Sequence, residues 1–265
     1  MITMEDQKLA EMFKHENEFW ERIFKVELEK AESERTDFSS FWWESYYGEI
    51  KGFVLSRVNR YDDPRILEAG SGSGKASILL GKEYKRTLLD ISDSALEYAK
   101  YLVKRFGAEN VSFLKGDIFQ MPFIDKSFDF VWNIGVAEHY DEERIIAMCA
   151  EIVRVCDGGG QVGVGVPNFK SLPIFKASIL RSRFLKFIPG YRLESENEYS
   201  EDQMIDFLMR GARKANRNVK NVRVFYFGNP LFMESPKWLL LTLGKFIEFF
   251  MPKTKFLMFI VCEVE

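Results

Sequence analysis

The stretch that decides the fold is ILEAGSGSGK, from Ile66 to Lys75. A short apolar strand precedes its glycines and the helix-forming run ASILL follows them, which predicts a strand, a glycine loop and a helix that runs to about Tyr84. Glycine occupies every second position of the loop, at Gly70, Gly72 and Gly74. Because glycine permits backbone angles and close approaches that a Cβ forbids, this unit suits a ligand that lies against bare main chain. The sequence therefore predicts a site for a nucleotide-like ligand.

The residues around these glycines separate the classes of nucleotide site. The dinucleotide pattern G-x-G-x-x-G requires glycine where the chain has Lys75, and a phosphate-binding loop requires Ser or Thr where it has Ala76. Glu68 also disfavours phosphates, because a carboxylate two residues before the first glycine repels them. A ligand with hydroxyls, an amino group or a positive charge fits this loop better. A glycine-rich turn without a ligand is the remaining alternative.

Length, composition and charge indicate an ordinary folded protein. The chain has 265 residues, enough for one large α/β domain or two small ones, and 46% of them are hydrophobic, which is ample for a core. Its net charge of −3 shows no basic excess, so we expect no nucleic-acid partner. The sequence leaves the oligomeric state open.

Other features bear on metal binding and on location. The three cysteines lack the spacing of a metal site, and two histidines make a histidine-based zinc site unexpected, so no metal is predicted. The charged N-terminus is unlike a signal peptide. The most apolar run, Pro236 to Met251, is interrupted by Lys245 and Glu248 and is too short to span a bilayer. We expect a cytoplasmic protein without stable membrane insertion.

The second predicted strand, Arg86 to Ser92, carries an acidic residue close to its carboxyl end. This residue is Asp90, which stands 22 positions after Glu68. An acid about 20 residues beyond a glycine loop is placed to hold the two hydroxyls of a ribose. The alternative makes Asp90 a helix cap, but Ser92 and the residue after it already provide one. We therefore favour the ribose role.

Polar residues also end the next two predicted strands. The third strand is followed by a loop that contains Asp117 and Ile118, where Asp117 is also typical of a turn. The fourth strand, FDFVW, ends at Asn133 and is apolar on both faces, as expected of a central parallel strand. A helix is predicted from about Asp141 to Val155. Alternating valines closed by Pro167 then indicate a fifth strand, after a loop of three glycines.

Repeated strand–helix units predict a doubly wound α/β fold. Four such units within about one hundred residues indicate a mostly parallel, Rossmann-like sheet of seven strands with helices on both faces and an N-terminal helical extension. Ligands of this fold bind at the carboxyl ends of the strands. Glu68, Asp90, Asp117 and Asn133 all fall at such ends, and this coincidence is the strongest functional indication in the sequence.

Several motifs resemble one enzyme family. The pattern E-x-G-x-G-x-G after a strand resembles motif I of the class I S-adenosylmethionine (SAM) methyltransferases. The dipeptide Glu138-His139 and the arrangement of three glycines, a strand and Pro-Asn resemble later segments of the same family. The resemblance covers roughly residues 60 to 265 and is specific up to Asn168. It implies a SAM-dependent methyltransferase that acts on a small, hydrophobic or aromatic acceptor.

The resemblance also implies roles for individual residues. By this resemblance, Asp90 is expected to bind the ribose and Ile91 to lie beside the adenine ring. Asp117 is expected to bind the adenine amino group, and Ile118 to pack on the face of the adenine ring. The full cofactor-binding set is Glu68, Ala69, Gly70, Ser71, Gly72, Asp90, Ile91, Asp117, Ile118 and Asn133. An NAD-dependent oxidoreductase and a non-catalytic SAM- or nucleotide-binding protein are the alternatives.

The N-terminal residues 1 to 60 are predicted to form a separate helical extension. Their apolar residues have helical spacing, and the segment from Phe41 to Val58 begins with five aromatic residues in seven. Most of these aromatics are expected to pack the extension onto the main domain. Many small-molecule methyltransferases use such a helix as a lid, so Trp43, Tyr46 and Tyr47 are candidate substrate-binding residues.

One histidine is the candidate catalytic residue. His139 is the only histidine near the predicted cleft, and its intrinsic pKa near neutrality suits a general base that deprotonates a hydroxyl or amine acceptor. A buried histidine that fixes the loop after the fourth strand is an equally good interpretation.

The end of the chain is assigned more coarsely. Residues 61 to 265 form the predicted SAM-binding domain, with an insertion at 169–198 that is rich in cationic and aromatic residues and that predicts an amphipathic helix. A helix with a capping signature at Ser200 is predicted from Tyr199 to Gly211. Another helix is predicted from Lys237 to Phe250, between the last two predicted strands. The resemblance implies that these two strands pair antiparallel.

Overall fold

The central feature of the fold is one seven-stranded sheet. In the computed structural model, which describes residues 4–33, 40–180 and 196–265, the strands lie in the order β3-β2-β1-β4-β5-β7-β6. Neighbours pair parallel up to β5, whereas β7 pairs antiparallel with both β5 and β6. The strands are β1 (Arg65–Ala69), β2 (Lys85–Asp90), β3 (Val111–Lys115), β4 (Phe128–Ile134), β5 (Cys156–Pro167), β6 (Val219–Phe227) and β7 (Leu257–Val264). The predicted doubly wound α/β fold is confirmed.

Helices cover both faces of this sheet. The described helices are α1 (Met4–Ser33), α2 (Phe41–Val58), α3 (Lys75–Ile78), α4 (Asp93–Phe106), α5 (Glu142–Val155), α6 (Leu172–Leu180), α7 (Glu201–Lys214), α8 (Lys237–Leu239) and α9 (Lys245–Phe250), the last two joined by a π-helical turn, Leu240–Gly244. Successive side chains of a strand point to opposite faces of the sheet, so each strand contributes to two hydrophobic cores, one on each face. Val131 of β4 packs with α5 and α7, whereas Phe130 and Trp132 pack with α2 and α6 on the other face.

The helix after the glycine loop is shorter than the sequence predicts. The pattern predicted a helix to about Tyr84, but α3 ends at Ile78. The physical reason is Arg86, a buried residue of β2 whose guanidinium donates to the carbonyl oxygens of Gly81 and Tyr84. These carbonyls therefore point at Arg86 rather than along a helix axis, and Gly81 adopts a φ of 128° that ends helical geometry.

The predicted helix starts rest on side-chain caps. Ser92, Asp141 and Ser200 each accept a hydrogen bond from the backbone N–H three residues later, at the starts of α4, α5 and α7. At Ser200 the Gln203 side chain bonds back to the cap residue, which completes a capping box. Such caps satisfy N–H groups that a helix leaves unpaired, so these boundaries were readable from sequence.

Glycines in β5 make room for the antiparallel strand beside it. A Cβ on Gly163 would lie 2.5 Å from Cζ of Phe259, and one on Gly165 would lie 2.8 Å from its Cδ2. The Phe259 ring of β7 therefore lies directly against the β5 backbone. In the structure β5 begins at Cys156, so the three glycines that were predicted to form a loop belong to this strand. The pairing of β5 with β4 is irregular in the same region.

The predicted insertion at 169–198 is described in part. Its first half contains α6, which follows the buried Asn168 at the end of β5. The Asn168 amide donates to the carbonyl oxygens of Lys253 and Lys255, at 2.8 and 2.7 Å, and so joins this segment to the chain before β7. Residues 181–195 lie outside the described residues. Within the described ranges, no helix has the length and apolarity needed to cross a bilayer.

A close contact between helices gives a first prediction, which concerns stability. A Cβ on Gly211 of α7 would lie 2.5 Å from Cβ of Cys149 and 2.9 Å from the backbone nitrogen of Ala150 in α5. Gly211→Ala is therefore expected to lower the free energy of unfolding by about 1–3 kcal/mol, because α5 and α7 must separate. The control is Gly52→Ala in α2, where nothing lies within 4 Å. Helix propensity should make that variant about 0.5–1 kcal/mol more stable in chemical denaturation. Equal stability of the two variants would contradict the packing described here.

Candidate functional site

A cavity of about 240 Å³ opens at the carboxyl ends of β1, β2 and β4. The glycine loop and the loops after β2, β3 and β4 form its floor, and α1 and α2 form its walls. Ten residues predicted from sequence line it: Tyr46, Tyr47, Glu68, Gly70, Ser71, Gly72, Asp90, Ile91, Asp117 and Ile118. Strands that run parallel end at one edge of the sheet, which is why residues so far apart in sequence meet here.

The glycine loop uses most of its own N–H groups. Gly70 and Ser71 both donate to the carbonyl oxygen of Leu89, at 2.8 and 2.9 Å, and Gly72 donates to Oδ2 of Asp90 at 2.7 Å. Gly70 and Gly72 have φ angles of 69° and 51°, which other residues rarely adopt. The loop is therefore held on the end of β2 and presents few free N–H groups to an anion.

Glu68 lies on the cavity floor without a full set of hydrogen bonds. Its side chain is buried, and its Oε2 has no hydrogen-bond partner among the described residues, nor has the neighbouring Ser71 Oγ. Burial raises the pKa of Glu68 to about 7, and the charge of Asp90 adds to the shift, while Ser77 opposes it. A buried acceptor left unpaired is costly, so a ligand that brings a donor is expected to bind to Glu68.

Asp90 is held rigidly at the end of β2. Its Oδ2 accepts from the Gly72 N–H and its Oδ1 accepts from the Ser92 N–H, at 2.7 and 2.9 Å. Burial raises its pKa, and these backbone bonds oppose that rise. Each carboxylate oxygen has a further lone pair, so Asp90 retains the capacity to accept two more hydrogen bonds from a ligand.

The loop after β3 places an acid and an apolar side chain together. Oδ1 of Asp117 accepts from the Phe119 N–H at 2.9 Å, which makes it a turn residue, as the alternative interpretation held, and it also lines the cavity. Burial raises its pKa. Ile118 is 7% exposed and lies against Gly70, where a Cβ would approach its Cδ1 to 3.4 Å. An aromatic ring held here would have an apolar face and a polar edge.

Helix α1 forms the outer wall. Phe24 lies against the glycine loop, since a Cβ on Gly72 would approach its Cζ to 2.8 Å. Glu16 forms an ion pair with Arg144 of α5, with Nη2 to Oε2 at 2.9 Å. Trp20 lines the cavity between them. Three side chains of α1 therefore reach the cavity.

A carboxylate of α1 fixes this helix to the start of α4. Glu21 accepts hydrogen bonds from the Ser92 hydroxyl at 2.8 Å and from the Ser94 hydroxyl at 2.5 Å, at the start of α4. Burial raises the pKa of Glu21, but the bonds from Ser94 and Ser92 and the charge of Lys115 more than offset it, so its pKa is lowered overall. The carboxylate form is therefore favoured by contact with α4.

The aromatic block of α2 divides between the cavity and the core. Tyr46 and Tyr47 line the cavity, and burial with the nearby Glu68 charge raises the pKa of Tyr47. Trp43 is outside the cavity lining, and it packs on Trp42 and Tyr47 with ring centroids 4.9 and 5.9 Å apart. The structure thus supports the packing interpretation for Trp43.

Three more predicted site residues are not among those that line the cavity. Ala69 is fully buried in the core. Asn133 is also buried, and its amide donates to Sδ of Met148 at 3.2 Å, while Ile134 after it reaches the cavity. His139 packs edge-on against the outer wall, with its ring centroid 4.9 Å from that of Trp20. Its role as a general base stays a prediction.

Other lining residues were missed by sequence reasoning. From α1 these are Glu16, Trp20 and Phe24, and those from the loops include Phe119 and Tyr140. Lys75 also lines the cavity, and burial lowers its pKa to about 8, a shift that the charge of Glu27 partly opposes. The aromatic content of α1 was a signal that it covers something, but no local pattern gave its register over the sheet.

Comparison with known proteins adds independent information. Residues 66–160 match the family model described as "Methyltransferase domain". A demethylmenaquinone methyltransferase of Staphylococcus aureus is 31% identical over 174 residues, which are 62% of this chain and 70% of that protein.

Solved structures share the fold at low sequence identity. A SAM-dependent methyltransferase of Thermotoga maritima, described as a possible histamine N-methyltransferase, is 19% identical with a TM-score of 0.54, over 92% of this chain and 99% of that one. Magnesium protoporphyrin IX methyltransferase of Synechocystis with bound SAH is 15% identical with a TM-score of 0.53, over 84% of each chain. These likenesses concern the fold alone.

Proposed function

The chain belongs to the class I SAM-dependent methyltransferases, and we propose that its cavity binds SAM and transfers the methyl group to a small hydrophobic or aromatic acceptor. The observation that carries the proposal is the composition of the cavity: carboxylates line its floor and aromatic rings line its walls. The named relative fits this class of acceptor, since it is a demethylmenaquinone methyltransferase.

The residues present fit the cofactor. SAM carries a ribose, an adenine, an amino group and one carboxylate, and supplies an activated methyl group when bound. We propose that Asp90 accepts from two ribose hydroxyls and that Asp117 and Ile118 hold the adenine edge and face. Glu68, whose Oε2 lacks a partner among the described residues, is placed to accept from a donor such as the amino group. We propose that the other predicted lining residues of this floor, Gly70, Ser71, Gly72 and Ile91, complete the site.

The geometry also disfavours an NAD-dependent oxidoreductase. A pyrophosphate is normally held by free N–H groups of a glycine loop and a helix N-terminus. Here the N–H groups of Gly70, Ser71, Gly72 and Gly74 donate to acceptors within the protein. The helix that follows has four residues, too few for a substantial dipole. A ligand without phosphates therefore suits the loop better.

Positioning is the main contribution that these side chains make to transfer. Holding two reacting groups in line can lower a barrier by about 7–11 kcal/mol. The walls formed by Trp20, Tyr46, Tyr47 and Phe119 exclude water and orient a flat apolar acceptor by stacking. We propose that residues 1–60 act as a lid over this site, since side chains of both α1 and α2 reach the cavity.

Transfer from methyl-labelled SAM tests the proposed acceptor class. Label should enter an organic-soluble product when a quinol or phenol is supplied, and it should enter polar amines of similar size to a much smaller extent. The same assay with Tyr47→Ala separates acceptor binding from cofactor binding, because that variant should retain SAM affinity. Label transferred only to polar acceptors would refute the acceptor class and leave SAM dependence intact.

The raised pKa of Glu68 predicts that SAM affinity depends on pH. If the carboxylate accepts from a cationic amine, affinity is complete above the pKa near 7 and is lost as Glu68 becomes protonated. SAM should therefore bind up to about tenfold more weakly at pH 6 than at pH 8 by calorimetry. Glu68→Gln should remove this dependence, whereas Glu83→Gln, on the surface, should keep it. A pH-independent affinity in the wild type would contradict the role given to Glu68.

His139→Ala distinguishes the two interpretations of this histidine. As a general base it would lower turnover by about 10²–10⁴-fold with little change in SAM affinity. Because its ring packs on Trp20, we expect a smaller change, below about tenfold, in which turnover and SAM affinity fall together. A large loss of turnover alone, with an acid limb near pH 6–7 in the wild type, would establish the base instead.

A further inference from the structure

One part of the surface is unusually apolar. Of the fourteen large hydrophobic side chains that are exposed in the described part of the chain, eleven lie between residues 172 and 251. They belong to α6 and to residues 232–251, and we call them the outer apolar surface. Trp238, Phe246, Phe249 and Phe250 are between 62% and 79% exposed. Soluble proteins rarely expose apolar residues in such a concentration without a partner for them.

The last helical segment is apolar on both of its sides. Its inner side carries Leu240 and Gly244, where a Cβ on Gly244 would lie 2.6 Å from Oδ1 of Asn229. Its outer side carries Trp238, Phe246 and Phe249. A helix that packs on its own protein needs only one apolar side, so the outer residues are available for a second apolar environment.

The exposed residues form neighbouring groups rather than scattered positions. The Phe250 ring lies 4.8 Å from that of Phe246 and 5.0 Å from that of Phe249. Lys176 of α6 lies over the Phe232 ring at 5.5 Å, which brings α6 beside the segment that leads into α8. The outer apolar surface therefore extends across two elements.

Lysines surround this surface. Residues 169–180 and 229–256 contain six lysines and two glutamates, in a chain whose net charge is −3. Five of these lysines reach solvent and Lys255 is buried, while Lys176 and Lys253 pair with Glu234 and Glu201. One of the two acids, Glu248, is turned inward, where it bonds to Lys245 and Lys255. Aromatic residues bordered by lysines in an otherwise acidic protein are complementary to a bilayer that carries negative headgroups.

The surface lies at the same edge of the sheet as the cavity. It begins just after the carboxyl end of β5, and Asn168 ties α6 to the residues that follow α9. The Trp42 indole donates to the carbonyl oxygen of Leu231 at 3.0 Å, which joins α2 to the same segment. Tyr46, which lines the cavity, packs on Trp42. One helix thus borders both the cavity and the outer apolar surface.

We propose that the outer apolar surface docks on an anionic lipid bilayer, with α8 and α9 lying along the interface. The aromatic side chains enter the boundary between headgroups and acyl chains, and the lysines meet lipid phosphates. This mode of binding needs no helix that crosses the membrane. A second copy of this chain is a poorer occupant, because a symmetric contact would set these lysines against one another. This inference is independent of the acceptor proposed above.

Vesicle binding by the full chain tests the proposal without cofactor or acceptor. The probe is a phosphatidylcholine vesicle that contains phosphatidylglycerol, with pure phosphatidylcholine as the reference. We expect binding to the anionic vesicles, weakened by salt. The combined Trp238→Ser, Phe246→Ser and Phe249→Ser changes should reduce binding at least about tenfold. The control is Ile124→Ser, which changes an 83% exposed side chain elsewhere and should bind as the wild type does.

Fluorescence locates the contact. Tryptophan emission should shift to shorter wavelength on vesicles, and Trp238→Phe should abolish that shift while the protein still binds. Two outcomes would overturn the proposal. One is no vesicle binding at low salt. The other is a stable dimer in solution that the triple change converts to a monomer, since a second copy would then occupy the surface.

Discussion

Deletion of residues 1–39 is expected to lower methyl transfer at least about 10²-fold. Helix α1 supplies Glu16, Trp20 and Phe24 to the cavity wall, so its removal opens the site to water and loosens the reacting groups. A misplacement of about 1 Å is enough for a loss of this size. The cut must fall before Ser40, because this residue caps α2 and Trp42 is fully buried in the core. Labelled-SAM turnover at saturating SAM is the measurement.

Two controls accompany the deletion: the stability of the truncated protein, and point variants of α1 in the full chain. The truncated protein should still unfold cooperatively, because the core beneath α2 and α5 is independent of α1. In the full chain, Trp20→Ser should reproduce much of the loss in turnover, whereas Val26→Ser, at an exposed position of the same helix, should not. A truncated protein with full activity would remove α1 from the function altogether.

Asp90→Asn is expected to weaken SAM binding by about 10–100-fold. This loss corresponds to about 1–3 kcal/mol for charge-assisted bonds to two hydroxyls. Asparagine is the better substitution because its oxygen still accepts from one of the two backbone N–H groups that Asp90 now satisfies, whereas alanine would leave both unpaired. The variant should therefore lose less stability than Asp90→Ala would.

The control for this change lies three residues away. Asp93→Asn alters an exposed carboxylate that pairs with Lys115, and it should bind SAM as the wild type does. Both variants lose one negative charge. A difference in their SAM affinities therefore results from the position of the carboxylate and not from the net charge of the protein. Equal SAM affinity in both variants would remove Asp90 from the site.

The parts of the fold that sequence reasoning predicted were those set by local rules. The glycine loop, the central strand FDFVW and the caps at Ser92 and Ser200 each depend on residues within a few positions. Parallel strands bring their carboxyl ends together, so the strand pattern alone was enough to place Glu68, Asp90 and Asp117 in one site.

The parts that sequence reasoning missed depend on distant contacts. The premature end of α3 is caused by Arg86, which belongs to the next strand. The contribution of Trp20 depends on how α1 lies over the sheet, which Glu21 sets through its bonds to the start of α4. The packing of the His139 ring on Trp20 depends on the same position of α1. None of these contacts has a local signature.

Calorimetric titration of the full chain with SAM and with NAD tests the central claim most directly. The claim is that the cavity holds a phosphate-free adenosine cofactor on Glu68, Asp90 and Asp117. We predict one SAM per chain, affinity that falls in Asp90→Asn but not in Asp93→Asn, and no heat with NAD. Binding of NAD in competition with SAM, or SAM binding that Asp90→Asn leaves unchanged, would contradict the claim.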